Sequence, residues 1–495
     1  MKNNDHTEAS YTEKDSEELK RFGYSQQLNR MMGGFSSFAI SFSLISVLTG
    51  IFANFNFGFR QVGGAIVWSW LLVGGGQFLV ALVMADLSNR FPISGYGYQW
   101  SARMMNPHFG FFVGWLLLIQ FITGFPGTSE AMAVTISSMM GGASDGWGVV
   151  FITLAVMTVV AIIHLSGIRL VSIINNLGVY AELAGVVLLI GALAVIWFIS
   201  GAINAENLFK AVNVLKAESA GLSSFALSLL LGAWCLTGFE AAADMAEETK
   251  SPHKNVPRAV ILSQVSASIA GFLMIGLLVV SAGDIHEAQK SSNPLIFILK
   301  NAIGERGTAI ATIIIVLSIF ACAVASMATA TRLLFSLSRD NILPFSSILS
   351  RINEKRQTPQ YAIIAIWAFS CLAVLLFKQI EVITSVSAAA SYLGYAGIML
   401  AAILSKKSCN AEEGFSLGAL RKPVQLASLC WTLIVAASIM IPETEIDGLQ
   451  IRHLPAVSAL IVVIAGIVLY FLSVRGKINK RIAGPPDETP NLSGV

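Results

Sequence analysis

The chain has 495 residues, 55% of them hydrophobic and only 12% charged, with a mean hydropathy of +0.70; an ordinary soluble chain is about 25% charged. So few ionic groups cannot solvate the surface of a soluble protein of 52.9 kDa, which excludes a water-soluble enzyme, a nucleic-acid binder and a disordered chain. The 32 Lys and Arg nearly balance 29 Asp and Glu, so what matters is where the charges lie.

Residues 1–30 are polar, mixed in charge and without an apolar core segment, and read as an N-terminal tail with no cleavable signal. A membrane-spanning helix needs about 20 mostly apolar residues. Runs of that length without Asp, Glu, Lys or Arg recur twelve times from residue 31 to residue 474. They predict an all-α polytopic membrane protein with helices near 31–57, 62–88, 106–139, 147–166, 172–200, 222–246, 258–282, 307–336, 360–378, 383–405, 424–441 and 454–474. The runs are continuously apolar, which excludes a β-barrel of short alternating strands. Residues 475–495 form a C-terminal tail whose part from Ile482, with Gly484-Pro485-Pro486, reads as disordered. With twelve spans, 24 of the 32 Lys and Arg fall in the tails and in loops on their side. The positive-inside rule then puts both termini in the cytoplasm. Five cysteines without CxxC spacing give no disulfide framework, and no metal or cofactor is expected.

Two spans carry the same tripeptide at mid-depth: Leu48-Thr49-Gly50 in the first and Leu236-Thr237-Gly238 in the sixth. Interrupted helices in matching positions of two halves point to a transporter binding site. An unwound turn frees backbone N–H groups, which a substrate carboxylate can meet, and carbonyls, which can accept from an ammonium. Two such breaks suit a zwitterion. Charges at membrane depth are costly and mark function. Glu182 sits near the middle of span five, either as a proton carrier or as a carboxyl hydrogen-bonded for structure. Glu240 follows the break in span six and either caps it or titrates. Asp86, Asp244 and Arg332 lie near span ends, where snorkelling or ion pairing is expected.

Three stretches carry a resemblance. Gly238-Phe239-Glu240 continues through Ala246-Glu247-Glu248-Thr249-Lys250 to Asn255-Val256-Pro257-Arg258. Arg332-Leu333-Leu334-Phe335-Ser336-Leu337-Ser338-Arg339-Asp340 follows span eight, and Arg90-Phe91-Pro92 with Gly95-Tyr96-Gly97 follows span two. Together they resemble the amino acid–polyamine–organocation superfamily, most closely its amino acid/choline branch with the GABA permeases, from about Phe22 to about Val474. The resemblance implies a 5+5 inverted repeat with helices 1 and 6 broken, two extra C-terminal helices, and alternating access by secondary transport. It places the carboxylate-binding turn at Ser46, Val47, Leu48, Thr49 and Gly50, and a tryptophan gate at Trp234. It puts Thr237 and Gly238 facing the substrate amine, with Phe239 beside them among the substrate-binding residues, and Gly124, Phe125 and Ser129 on the pocket side of helix 3. The family's glutamate after the helix-6 break falls on Glu240. Glu182 stands where some proton-coupled relatives carry a lysine; a glutamate there can bind a proton or a metal cation.

The expected function is import of an amino acid or GABA-like zwitterion across the cell (plasma or inner) membrane, with H+ as coupling ion. The alternatives are an exchanger of the same fold and a carrier of choline, ethanolamine or a polyamine, for which Phe125, Trp234 and Phe239 offer cation–π faces. Six scattered His and the lack of paired carboxylates argue against an enzyme, and no filter repeat marks a channel. Expected partners are the small-molecule substrate and the lipid bilayer, with no nucleic acid; the oligomeric state is not encoded legibly.

Overall fold

In hydrocarbon every backbone N–H and C=O must find a partner inside the protein, and a helix does this within one segment. The computed structural model describes residues 15–140, 146–200, 204–211, 218–291, 293–377, 380–405, 414–440, 444–446, 449–451 and 454–488. Among them, ten helices are long and apolar enough to cross a membrane, and two shorter apolar stretches, Ser224–Cys235 and Gln360–Leu376, bring the count to twelve. The protein is therefore an all-helical, multi-pass membrane protein. Its only strand pairing among the described residues joins Thr444–Ile446 to Leu449–Ile451.

The first span is two helices, α1 (Gly34–Ile45) and α2 (Val47–Val62). There follow α3 (Ile66–Arg90), α4 (Tyr96–Met104), α5 (Pro107–Met139), α6 (Trp147–Ser166) and α7 (Ile168–Ser200). The sixth span is split into α8 (Glu218–Cys235) and the short α9 (Ala241–Asp244). After it come α10 (Pro252–Val280), α11 (Ile285–Lys290), α12 (Pro294–Arg339), α13 (Ser346–Leu349), α14 (Gln360–Phe377) and α15 (Ile380–Leu404). Two further spans, α16 (Arg421–Met440) and α17 (Leu454–Leu469), close the bundle, and the short α18 (Arg475–Asn479) follows them. The two broken spans stand five apart, as a 5+5 repeat requires.

Local chemistry sets the helix starts. Asn106 caps α5 by accepting from the Phe109 N–H, with Pro107 at the first position, where its missing N–H costs nothing. Asn293 and Pro294 repeat the device at α12. α12 kinks at Gly304, which adopts φ 73°. From there to Arg339 it runs roughly 50 Å at ~1.5 Å per residue. That exceeds the ~30 Å hydrocarbon layer, so its end projects past the layer and carries Arg332 and Arg339 with it. Inside α5, Pro126 cannot donate to the Ile122 carbonyl. Ser370 Oγ on α14 donates to that oxygen instead, at 3.0 Å.

The bundle end that carries the N-terminal segment is tied by charge. Arg332 Nε meets Glu248 Oε1 at 2.8 Å, both side chains 1% exposed. Arg339 holds Glu247 with two bonds of 2.9 Å each. Asp86 pairs with Arg90 and Arg421. Thus Asp86 and Arg332 form ion pairs rather than snorkel, and Asp244 accepts from Gly95 N at 2.7 Å. Asp340 accepts from Tyr24 Oη at 2.8 Å, Tyr98 Oη at 2.7 Å and Gln99 Nε2 at 2.8 Å. Residues 489–495 lie outside the described residues, and 482–488 are not the loose tail that their composition implies. Proline keeps them out of a helix, yet Gly484 N–H donates to the Asp340 carbonyl at 2.9 Å. Asn341 Nδ2 donates to Ile482 O at 2.9 Å, and Arg103 reaches Glu488 at 3.7 Å.

Replacing one partner of a buried pair strands the other charge, which costs about 3–5 kcal/mol. Arg332→Met is expected to lower the unfolding midpoint of the detergent-purified protein sharply. Arg332→Met combined with Glu248→Gln is expected to recover much of that loss. Equal losses in the single and double variants would show that Arg332 acts through packing alone.

Candidate functional site

The break in helix 1 is one residue wide. Ser46 has φ 36°, ψ 88°, ending α1 and capping α2, and its Oγ accepts from the Thr49 N–H. Val47, Leu48, Thr49 and Gly50 form the first turn of α2. All five residues are buried. Gly50 N–H already donates to the Ser46 carbonyl at 2.9 Å, so it is not a free donor. Its lack of a side chain serves another purpose: a Cβ there would overlap Cys235 Sγ, where helices 1 and 6 cross.

The break in helix 6 is longer, running from Leu236 to Phe239, with Gly238 at φ 104°. A side chain at Gly238 would be strained by that φ and would also press on Leu44. The freed groups of both breaks find partners across the gap. Ser41 Oγ on α1 donates to Phe239 O at 2.8 Å and accepts from Ala242 N at 2.9 Å. Cys322 Sγ on α12 donates to Leu44 O at 3.4 Å. Cys235 Sγ contacts Ile45 O and Ser46 O at 3.7 and 3.8 Å. Gly238 N–H donates to Glu240 Oε2 at 3.0 Å.

A cavity opens between these breaks. Of the residues singled out in the sequence, Thr49, Gly124, Trp234, Thr237 and Gly238 line it. Ser46, Val47, Leu48, Gly50, Phe125, Ser129 and Phe239 stand behind its wall. Ser129 Oγ is turned to Phe125 O at 2.9 Å. Phe239 packs on Tyr395, the ring centroids 5.9 Å apart. The wall also contains Leu44, Ile45, Gln120, Phe121, Thr128, Cys322, Ser326 and Ser387, none of which the sequence analysis named. Gln120, Phe121, Gly124 and Thr128 share one face of α5 by helical spacing. A search for uncharged polar residues at that spacing, rather than for charges, would have found Gln120 and Thr128.

Neither glutamate lines the cavity. Glu182 on α7 is fully buried. Its carboxyl lies beside the Ser46 side chain and the backbone N–H groups of Val47 and Leu48. No hydrogen bond of good geometry reaches either oxygen from the described residues. It therefore stands at the positive end of α2 without lining the cavity. Glu240 is also fully buried and accepts from Tyr395 Oη at 2.6 Å, Gln120 Nε2 at 3.1 Å and Gly238 N.

Residues 32–469 match the family described as amino acid permease. The amino-acid permease BAT1 of Arabidopsis thaliana is 27% identical over 92% of this chain and 93% of its own length. Amino-acid permease 2 of Neurospora crassa is 27% identical over 74% of this chain and 70% of its own. The thiamine transporter thi9 of Schizosaccharomyces pombe is 25% identical over 92% of this chain and 84% of its own.

The Gly50–Cys235 contact makes a size prediction. Overpacking a tight contact costs about 1–3 kcal/mol, and at this crossing it also forces helices 1 and 6 apart. Gly50→Ala is expected to lower both the unfolding midpoint and the transport rate, and Cys235→Gly added to it is expected to restore both. Failure of the second change to rescue would show that Gly50 is needed for something other than close approach.

Proposed function

Because this chain belongs to the amino acid permease family, a family of transporters and not of enzymes, we propose that it moves a zwitterionic amino acid or GABA-like substrate by alternating access, coupled to protons. The observation that carries this is the cavity between two broken helices, with the start of α2 on one side and the helix-6 break on the other. The substrate carboxylate sits at the first turn of α2, near Thr49. The substrate amine faces Thr237 and Gly238, and Trp234 covers the bound molecule.

Coupling follows from charge. Glu182 already occupies the positive end of α2, beside Val47 and Leu48. A substrate carboxylate arriving at the same turn puts two like charges on one helix end. They repel unless one is neutral. A proton on Glu182 removes the repulsion, so substrate and proton bind together and leave together. Glu240 holds the helix-6 break through Gly238 and is the second candidate carrier. Both termini lie in the cytoplasm of a cell-membrane protein, on the strength of the Lys and Arg distribution. An organic cation is the less supported substrate, since no Asp or Glu lines the cavity among the described residues.

Glu182→Gln keeps the shape and charge of the protonated carboxyl. In proteoliposomes it is expected to lose accumulation driven by a pH gradient and to retain exchange between equal substrate pools. If it still concentrates substrate under the gradient, Glu182 is structural. A wild type that responds to sodium and ignores pH overturns proton coupling.

Trp234→Ala is expected to weaken substrate-induced thermal stabilisation about tenfold in ligand concentration, with a smaller effect on the ligand-free unfolding midpoint. Unchanged ligand stabilisation would make Trp234 a packing residue.

A further inference from the structure

The cavity wall is uncharged among the described residues, and three of its hydroxyls are oriented. Thr128 Oγ donates to Phe125 O at 2.8 Å, Thr237 Oγ to Trp234 O at 2.7 Å and Ser387 Oγ to Gln120 O at 2.9 Å. Each hydroxyl hydrogen is thereby committed to backbone, which leaves the hydroxyl oxygen as an acceptor. Gln120 is fixed in the same sense. Its Nε2 donates to Glu240 Oε1 at 3.1 Å. Glu240 also receives Tyr395 Oη and Gly238 N–H, so it acts there as an acceptor and holds the amide group of Gln120 toward itself. The amide cannot flip without setting an oxygen against a carboxylate. Gln120 Oε1 is left as a buried acceptor with no hydrogen-bond partner among the described residues, on a side chain that is 4% exposed and lines the cavity. A buried acceptor without a donor is costly, and the three hydroxyls committed to backbone cannot supply one.

We infer that Gln120 is a specificity-determining residue, and that its Oε1 accepts an N–H or O–H from the end of the substrate distal to the carboxylate. The inference rests on the zwitterion reading above and narrows it. The substrate class is a zwitterion of no net charge that carries a hydrogen-bond donor at its far end: the side-chain hydroxyl or amide of an α-amino acid, or the ammonium of an ω-amino acid. A cationic side chain is disfavoured, because the wall offers dipoles and no counter-charge. A purely aliphatic one leaves Oε1 unmet. A site built around a buried acceptor rejects the analogue that lacks the donor more strongly than it rejects a change of one methylene.

The test uses the full chain purified in detergent and two ligand pairs, read by thermal shift. Threonine against valine exchanges a hydroxyl for a methyl. GABA against 4-(trimethylammonio)butanoate keeps the charges and removes the N–H donors. Wild type is expected to prefer the donor-bearing member of at least one pair by about tenfold, and the pair that discriminates identifies the donor's source. Gln120→Met, which keeps the length and loses the acceptor, is expected to level that preference. Gln120→Asn, which draws the acceptor back by one methylene, is expected to do the same if the Met variant does not fold. Ligands that stabilise wild type without discrimination in either pair overturn the inference and leave the transport reading standing. So does a preference that survives in the variants. If no member of either pair stabilises wild type, the zwitterion reading itself fails, and this inference fails with it.

Discussion

The constraint on which the structure depends is the backbone hydrogen bond that a membrane helix cannot leave unmade. A helix broken at mid-depth exposes donors on one side and acceptors on the other. Here the protein meets several of them with its own side chains, chosen small or soft. One hydroxyl, Ser41, serves both sides of the helix-6 break, and two thiols, Cys235 and Cys322, cover carbonyls freed around Ser46. A thiol is a weak donor, so these carbonyls are covered without being saturated. The N–H groups at the head of α2 face a carboxyl with which they form no well-shaped bond. Both breaks are thus stable enough to exist and loose enough to exchange partners, which a binding site for a small zwitterion needs.

The same economy organises the end of the bundle that carries the N-terminal segment. α9 is one turn long, yet the residues around it connect three parts of the chain. Asp244 accepts from Gly95 N at 2.7 Å, Glu247 from Ser94 N at 3.2 Å, and Glu247 and Glu248 take Arg339 and Arg332 of α12. Movement of the lower half of helix 6 therefore pulls on the loop after α3 and on the end of α12 together. Each of these buried charges needs a partner in any conformation that opens this face, which favours a concerted exchange over gradual loosening.

The twelve spans were legible because apolar length is a property of single segments. The two breaks were legible because one tripeptide, Leu-Thr-Gly, recurs at mid-depth in two spans that stand five apart. What the sequence hid was pairing between segments. Gln120 sits in a run read as plain hydrocarbon, and nothing near it in sequence marks Glu240, 120 residues away, as its partner. Gly50 belongs to the turn that the resemblance assigns to a carboxylate, whereas the space beside it is taken by Cys235. Glu182 was legible as an anomaly of depth. Its placement at the head of α2 needed the fold, because no local pattern tells which helix end a mid-span carboxyl will face. Proline in the last segment was a true signal against helix, but composition could not show that Asp340 and Arg103 give that backbone a place to dock.

That docking brings the two extremities of the described chain together. Tyr24 and Gly484 both bond Asp340, and Gly23 lies against Pro486. An even number of crossings returns the chain to the face where it began. The extremities could thus be joined by a short linker and the chain reopened in another loop on that face, with every helix keeping its direction through the bilayer. The order in which the spans are synthesised would change, while their packing partners would not. In such circular permutants, the order of membrane insertion could be separated from the final topology.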